Sequence, residues 1–184
     1  MSGGALREEG VRVALGEAVA DTGETVLGMS ESGDVLLVFL RHFGCTFCRE
    51  AASDVARDRG EIEGLGARVC FVYMPGEVGG EALAGRFFGR YGLDGVARVA
   101  DPERRLYRAF GLGRGSFGQL FGPRVWGRGF AAGLLGGHLV GKLVGDGFQM
   151  PGVFVVRDGA VVRSFVHEHA GSRPSYAGLV RGEG

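Results

Sequence analysis

The run Val35–Leu40 is apolar at every position, and short unbroken apolar runs of this kind fit a strand buried on both faces of a parallel sheet. Ala67–Tyr73, ended by Met74-Pro75-Gly76, reads as a second strand and Val96–Ala100 as a third. Between them Cys45–Arg59 reads as a helix, and Glu81–Tyr91 as another with Leu83, Phe87 and Phe88 near one face. Strand, helix, strand, helix implies a parallel sheet covered by helices. Asp101-Pro102-Glu103 then supplies an N-cap, a first-turn proline and a first-turn acid. The helix it opens carries Leu106, Tyr107 and Phe110 at helical spacing and closes at Gly111. Near the end, Val153–Val156 and Val161–Val166 flank Arg157-Asp158-Gly159, and Asp-Gly is the strongest short hairpin signal. The expected fold class is α/β: a mixed sheet with helices on both faces and a C-terminal antiparallel hairpin.

Two regions are less regular. Met1–Gly10 is rich in glycine and charge and reads as a flexible start, followed by a single domain over 11–184. Val11–Leu27 alternates around the turn signal Asp21-Thr22-Gly23-Glu24, which suits a small hairpin. From about 113 to 147 glycines recur among Phe117, Leu120, Phe121, Val125, Trp126, Phe130, Leu134 and Leu135. A helix over Val125–Leu139 is expected there, serving as a lid-like insertion, a wall of the active-site pocket or a dimer surface.

At 184 residues the chain has the length for one sizeable core. Its 21 basic and 21 acidic residues cancel, which leaves no global positive field to recruit nucleic acid or an anionic membrane. Val125–Gly145 is interrupted by Arg128, His138 and Lys142 and falls short of a membrane span. The start lacks the basic and apolar regions of a secretory signal, and three cysteines are too few for a disulfide-stapled secreted scaffold, so a cytoplasmic location is expected.

The candidate chemistry lies at Cys45-Thr46-Phe47-Cys48, where the first strand turns into a helix. Cysteines three apart share one face of the first helical turn, close enough to bridge. The unpaired N–H groups and partial positive charge of the helix start favour a thiolate at Cys45, and Arg41, His42 and Arg49 would add positive charge. Such surroundings bring a cysteine pKa from about 8.5 into a range of roughly 3.5 to 7.5. Cys45 would then be the nucleophile and Cys48 the resolving thiol. Zinc usually takes four ligands, and only Cys70, inside an apolar strand, remains beside scattered histidines. A metal site is therefore not expected, nor is a cofactor, while two inert buried cysteines are the plainer alternative. His167-Glu168-His169 puts two histidines on one face of a strand end, which suits a partly exposed end better than a metal site.

The turn at Asp21–Glu24, the strand Val35–Leu40, Gly44-Cys45-Thr46-x-Cys48, Met150-Pro151 before Val153, and Asp158-Gly159 together resemble the thioredoxin fold. Arg41-His42-Phe43-Gly44-Cys45, Ala100-Asp101-Pro102 with Leu106-Tyr107, and Gly145-Asp146-Gly147 with Gln149 narrow it further. They resemble the peroxiredoxin-like branch of the alkyl hydroperoxide reductase and thiol-specific antioxidant superfamily, over about Ala18 to His169. The resemblance implies Cys45 as the attacking and Cys48 as the resolving cysteine, with Arg41, His42, Gly44 and Thr46 as supporting or substrate-binding residues. It also implies Pro151 in the place of the fold's cis-proline, beside Cys45. Peroxiredoxins carry a threonine three residues before the reacting cysteine and a proline seven before it; here those positions hold His42 and Val38. The residues between the cysteines, Thr46 and Phe47, are also not the glycine and proline of thioredoxin. The implied activity is disulfide reduction or peroxiredoxin-like antioxidant chemistry, with a thiol electron donor, a disulfide or peroxide substrate, and a homodimer as one assembly. The alternative is a non-catalytic redox sensor or partner-binding module, with a surface around Trp126 and Phe130.

Overall fold

The computed structural model describes residues 2–75, 80–113, 149–166 and 173–183, except the side chains of 2–6. Five strands form one sheet: β1 (Asp34–Phe39), β2 (Ala67–Tyr73), β3 (Ala97–Ala100), β4 (Gly152–Arg157) and β5 (Ala160–Val166). Their order is β3-β2-β1-β4-β5. β1 pairs in parallel with β2, and β2 with β3, while β4 runs antiparallel to both β1 and β5. The expected mixed α/β sheet with its C-terminal hairpin is thus the observed one.

The continuous apolar runs are explained by two cores, one on each face. Along β1, Leu36 and Val38 point into one core and Val35, Leu37 and Phe39 into the other. β2 divides the same way, with Val69, Phe71 and Tyr73 on one side and Cys70 and Val72 on the other. The first core is covered by α3 (Thr46–Gly64), α4 (Gly80–Arg90) and the C-terminal helix, here α6 (Tyr176–Arg181). The second lies under α1 (Ser2–Glu17), α2 (Val26–Glu31) and α5 (Arg105–Ala109). From Val35 on, β1 meets water on neither side, so it shows no alternation there.

Three local expectations are corrected. The alternation over Val11–Leu27 is not a hairpin: Val11 and Leu15, one helical turn apart on α1, bury together in the second core. Only the bridge between Val19 and Thr25 remains of it, across the turn where Gly23 has φ 85°. That helix includes residues 2–10, which the sequence reading set aside as a flexible start. Finally, Asp101 does cap α5, but from further back. Its two carboxylate oxygens accept the N–H groups of Arg105 (2.8 Å), Leu106 (2.9 Å) and Tyr107 (3.3 Å), and Pro102 stays outside the helix. The Asp-Gly hairpin forms as expected, with Asp158 at φ 50° and Gly159 at φ 75°. The segment 113–147, with its expected helix, lies outside the described residues beyond Gly113.

Asp101→Ala should lower stability by about 1–3 kcal/mol, because three N–H groups at a buried helix start lose their acceptor. Urea unfolding of the two proteins checks this, and an unchanged midpoint contradicts it.

Candidate active site around Cys45 and Cys48

The centre of the sheet delivers the site. Beyond β1, the Leu40 N–H still bonds the Val72 carbonyl at 2.9 Å, so the strand stays in the sheet up to the turn. The buried Tyr107 hydroxyl donates to the carbonyls of Leu40 and Val72, pinning this end from the second core. Arg41, His42, Phe43 and Gly44 then form a buried turn, closed by the Cys45 N–H on the His42 carbonyl at 3.0 Å. Phe43 anchors it to the first core, with ring centroids 4.7 Å from Phe87 and 5.3 Å from Tyr73. Cys45 is the N-cap of α3, with extended backbone, and the buried Thr46 is the first helical residue.

Both sulfurs meet Arg41. Its Nη1 lies 3.6 Å from Cys45 Sγ, and its backbone N–H donates to Cys48 Sγ at 3.2 Å. Both cysteines are free thiols and buried, Cys45 at 6% and Cys48 at 3% exposure, so exposure does not distinguish them; charge does. A hydrogen bond from the Cys48 thiol brings the Cys45 pKa down to about 6. The Arg41 guanidinium and the N–H groups of Cys48 and Phe47 add to this against the opposing effect of burial. Burial, and then the same hydrogen bond and the charge of Cys45, push Cys48 up. One proton shared between two thiols thus rests on Cys48.

Of the expected positive charges, Arg41 lowers the Cys45 pKa and His42 is not charged. Burial first, then Arg41 and Arg49, lower the His42 pKa to about 4, so its ring is neutral near pH 7 and supplies no positive charge. Its Nδ1 is buried without a hydrogen-bond partner among the described residues. The Arg49 guanidinium turns to the Phe43 carbonyl at 3.3 Å. A low dielectric that strengthens Arg41 on a thiolate also prevents His42 from charging.

On its other side Cys48 opens on a narrow cleft shared with Arg41, Phe47, Pro151, Arg173 and Tyr176. Pro151 is therefore near the dithiol, but on the Cys48 side, and the Met150–Pro151 bond is trans, not the expected cis. The trans isomer is the ordinary preference of an X–Pro bond. Here the preceding segment is tied in place by the Met150 N–H on the Gly113 carbonyl (3.1 Å) and by Gln149 Nε2 on the Leu112 carbonyl (2.8 Å). Behind the cleft, Arg173 pairs with Glu50 at 2.7 Å and Asp54 at 2.6 Å.

The sequence reading missed α6, Arg173, Tyr176 and Glu50. The signals for α6 are its caps, Ser175, whose hydroxyl accepts the Gly178 N–H at 3.1 Å, and Gly182 at φ 89°. Cys70 lies in the opposite core, fully buried and pushed up to about 12, remote from this chemistry. Among the described residues no group of three potential ligands could hold a metal ion, and no helix is long and apolar enough to cross a membrane. Trp126, Phe130 and His167-Glu168-His169 lie outside the described residues.

Brief iodoacetamide labelling followed across pH should show Cys45 reacting with a midpoint near 6, with no break at the ordinary histidine value near 6.5. The sign follows from the thiolate being the nucleophile: reactivity rises with pH through the lowered pKa and is nearly complete at pH 7. Arg41→Gln should raise that midpoint and slow labelling at pH 7 several-fold. Preferential labelling of Cys48, or an Arg41→Gln profile equal to the wild type, contradicts the assignment.

Residues 55–169, well over half of the chain, match the AhpC/TSA antioxidant enzyme family, a match that begins after the two cysteines. Peroxiredoxin-like 2A of Xenopus tropicalis is 28% identical over 131 residues, covering 70% of this chain and 53% of that protein. The chain therefore spans about half the length of the curated relatives it matches. Among solved structures, peroxidoxin BcpB of Mycobacterium tuberculosis superposes with a TM-score of 0.59 at 17% identity, covering 90% of each chain. A Chlorobium tepidum protein described as a thiol:disulfide interchange protein DsbE does so with a TM-score of 0.55 at 17% identity, covering 90% of this chain and 87% of that one. These likenesses establish a thioredoxin-like fold for the sheet and helices described above, and with the sequence match they lead to one conclusion: the chain belongs to the AhpC/TSA antioxidant enzyme family.

Proposed function

We propose that the chain is a thiol-dependent oxidoreductase in which Cys45 attacks and Cys48 resolves. The observation that carries the reading is the opposite ionisation of two sulfurs beside one arginine, Cys45 lowered to about 6 and Cys48 raised. With a disulfide substrate, the Cys45 thiolate attacks one sulfur, a thiolate leaves and a mixed disulfide forms. Cys48 then displaces the second thiolate, which departs with the Cys48 proton, and an intramolecular disulfide remains for an external thiol to reduce. With a peroxide, attack on oxygen releases an alcohol and leaves a sulfenic acid at Cys45; Cys48 condenses with it and water is lost. Both routes use the same two residues.

Disulfides are the better substrates on this reading. His42 and Val38 stand where the peroxiredoxin resemblance calls for a threonine and a proline, so the usual donor to the peroxide oxygens is replaced by a neutral imidazole. Gly44 and Thr46 shape the turn that presents Cys45, and Pro151 lines the cleft beside Cys48. The partners are a thiol reductant and a disulfide or peroxide. A cytoplasmic location accords with three free thiols, and the balanced charge accords with neither nucleic acid nor membrane as a ligand.

Peroxide and disulfide reduction measured side by side test the proposal. Wild type should turn over disulfides many times and peroxide slowly. Cys48→Ser should accumulate a mixed disulfide at Cys45, because the attacking sulfur survives while its exit is gone, and Cys45→Ser should accumulate none. Full turnover by both single variants would remove the dithiol as the catalytic unit, whereas a wild type that stops after one equivalent of oxidant would support a redox sensor instead.

A further inference from the structure

Tyr176, the first residue of α6, is 1% exposed, and its hydroxyl has no hydrogen-bond partner among the described residues. Buried hydroxyls are nearly always paired, and a position needing only the ring would be met by phenylalanine. The ring packs in the same core as Cys48, and Tyr176 lines the cleft onto which Cys48 opens. That cleft encloses about 20 Å³, enough for one water molecule if polar groups hold it. Its wall brings Tyr176, Arg41, Arg173 and Cys48 together on an otherwise apolar lining that includes Val38, Leu40 and Val153.

The resolving thiol needs such a neighbour. Once Cys45 is in the mixed disulfide, burial still keeps the proton on Cys48, yet the sulfur must lose it to attack. We propose that Tyr176 positions the proton acceptor for the resolving step: its hydroxyl holds one water molecule in the cleft beside Cys48, and that water takes the proton as the sulfur attacks. This rests on the dithiol reading above and adds to it a residue from a separate part of the chain. In the step, the bond between Cys45 Sγ and the substrate sulfur breaks and the Cys45–Cys48 bond forms. Cys48 supplies the electron pair and is oxidised, the departing sulfur leaves as a thiolate, and the water passes it the Cys48 proton so that a thiol is released. The charged and titratable groups around Tyr176 are Cys48, Glu50 and Asp54 from α3, Arg173 ahead of α6, and Arg41 after β1. Glu50 and Asp54 are both paired with Arg173, while Glu50 Oε2 and the Tyr176 hydroxyl have no hydrogen-bond partner among the described residues.

Dithiodipyridine separates the two steps, because Cys45 attack releases one thiopyridone and Cys48 attack releases the second. Tyr176→Phe should leave the first phase unchanged and slow the second about tenfold at pH 7, with the gap closing as pH rises and hydroxide replaces the held water as acceptor. Cys48→Ser should abolish the second phase in either background. Equal second phases in wild type and Tyr176→Phe at every pH overturn the role of Tyr176 and leave the dithiol reading standing. A wild type without any second phase overturns both. If Tyr176→Phe does not fold, a fluorotyrosine at 176 keeps the ring and makes the hydroxyl a stronger donor. A water that accepts a stronger hydrogen bond takes a proton less readily, so the second-phase pH profile should then move to higher pH, and an unmoved profile overturns the proposal.

Discussion

Arg41 holds both halves of the dithiol at once, its backbone N–H on Cys48 Sγ and its guanidinium on Cys45 Sγ. The backbone half of that contact is available because the chain leaves the sheet after Leu40, so the Arg41 N–H points at α3 in place of a neighbouring strand. The side-chain half matters because Arg41 is itself buried, where a charge acts far more strongly than in water. Arg41 thereby favours a thiolate at Cys45, while burial and the hydrogen bond that Cys48 donates to Cys45 keep the proton on Cys48.

The rest of the fold serves that junction. β1 is the central strand, paired on both sides, and from Val35 on neither of its faces meets water. Tyr107 reaches through from the second core to bond Leu40, and Phe43 fills the first core among Phe87, Phe88 and Tyr73. A turn fastened from both layers holds two sulfurs in one geometry without a disulfide to constrain them. The same dryness silences His42 and places Cys70, across the sheet, out of reach.

What was legible in the sequence follows from how local each cause is. Burial on two faces leaves a continuous apolar run, so β1 and β2 were readable, and the positive φ values of Asp158 and Gly159 leave an Asp-Gly signature. The C-x-x-C spacing located Cys45 and Cys48 for the same reason. α1 was not readable because glycines dilute it and two buried residues, Val11 and Leu15, are its main sign of a helical face. α6 is six residues long and identified mainly by its Ser175 and Gly182 caps. The neutrality of His42 depends on burial from several elements, and the nearness of Tyr176 and Arg173 to Cys48 on chain more than a hundred residues away, which no local pattern records.

The central claim is that the two thiols of the reduced protein hold opposite protonation states at neutral pH. Titration of the cysteine Cβ carbon shifts by nuclear magnetic resonance tests it without any reaction. The account predicts a Cys45 transition near pH 6 and none for Cys48 until well above the ordinary thiol range. Two transitions together near the ordinary thiol value, or Cys48 ionising first, would contradict it.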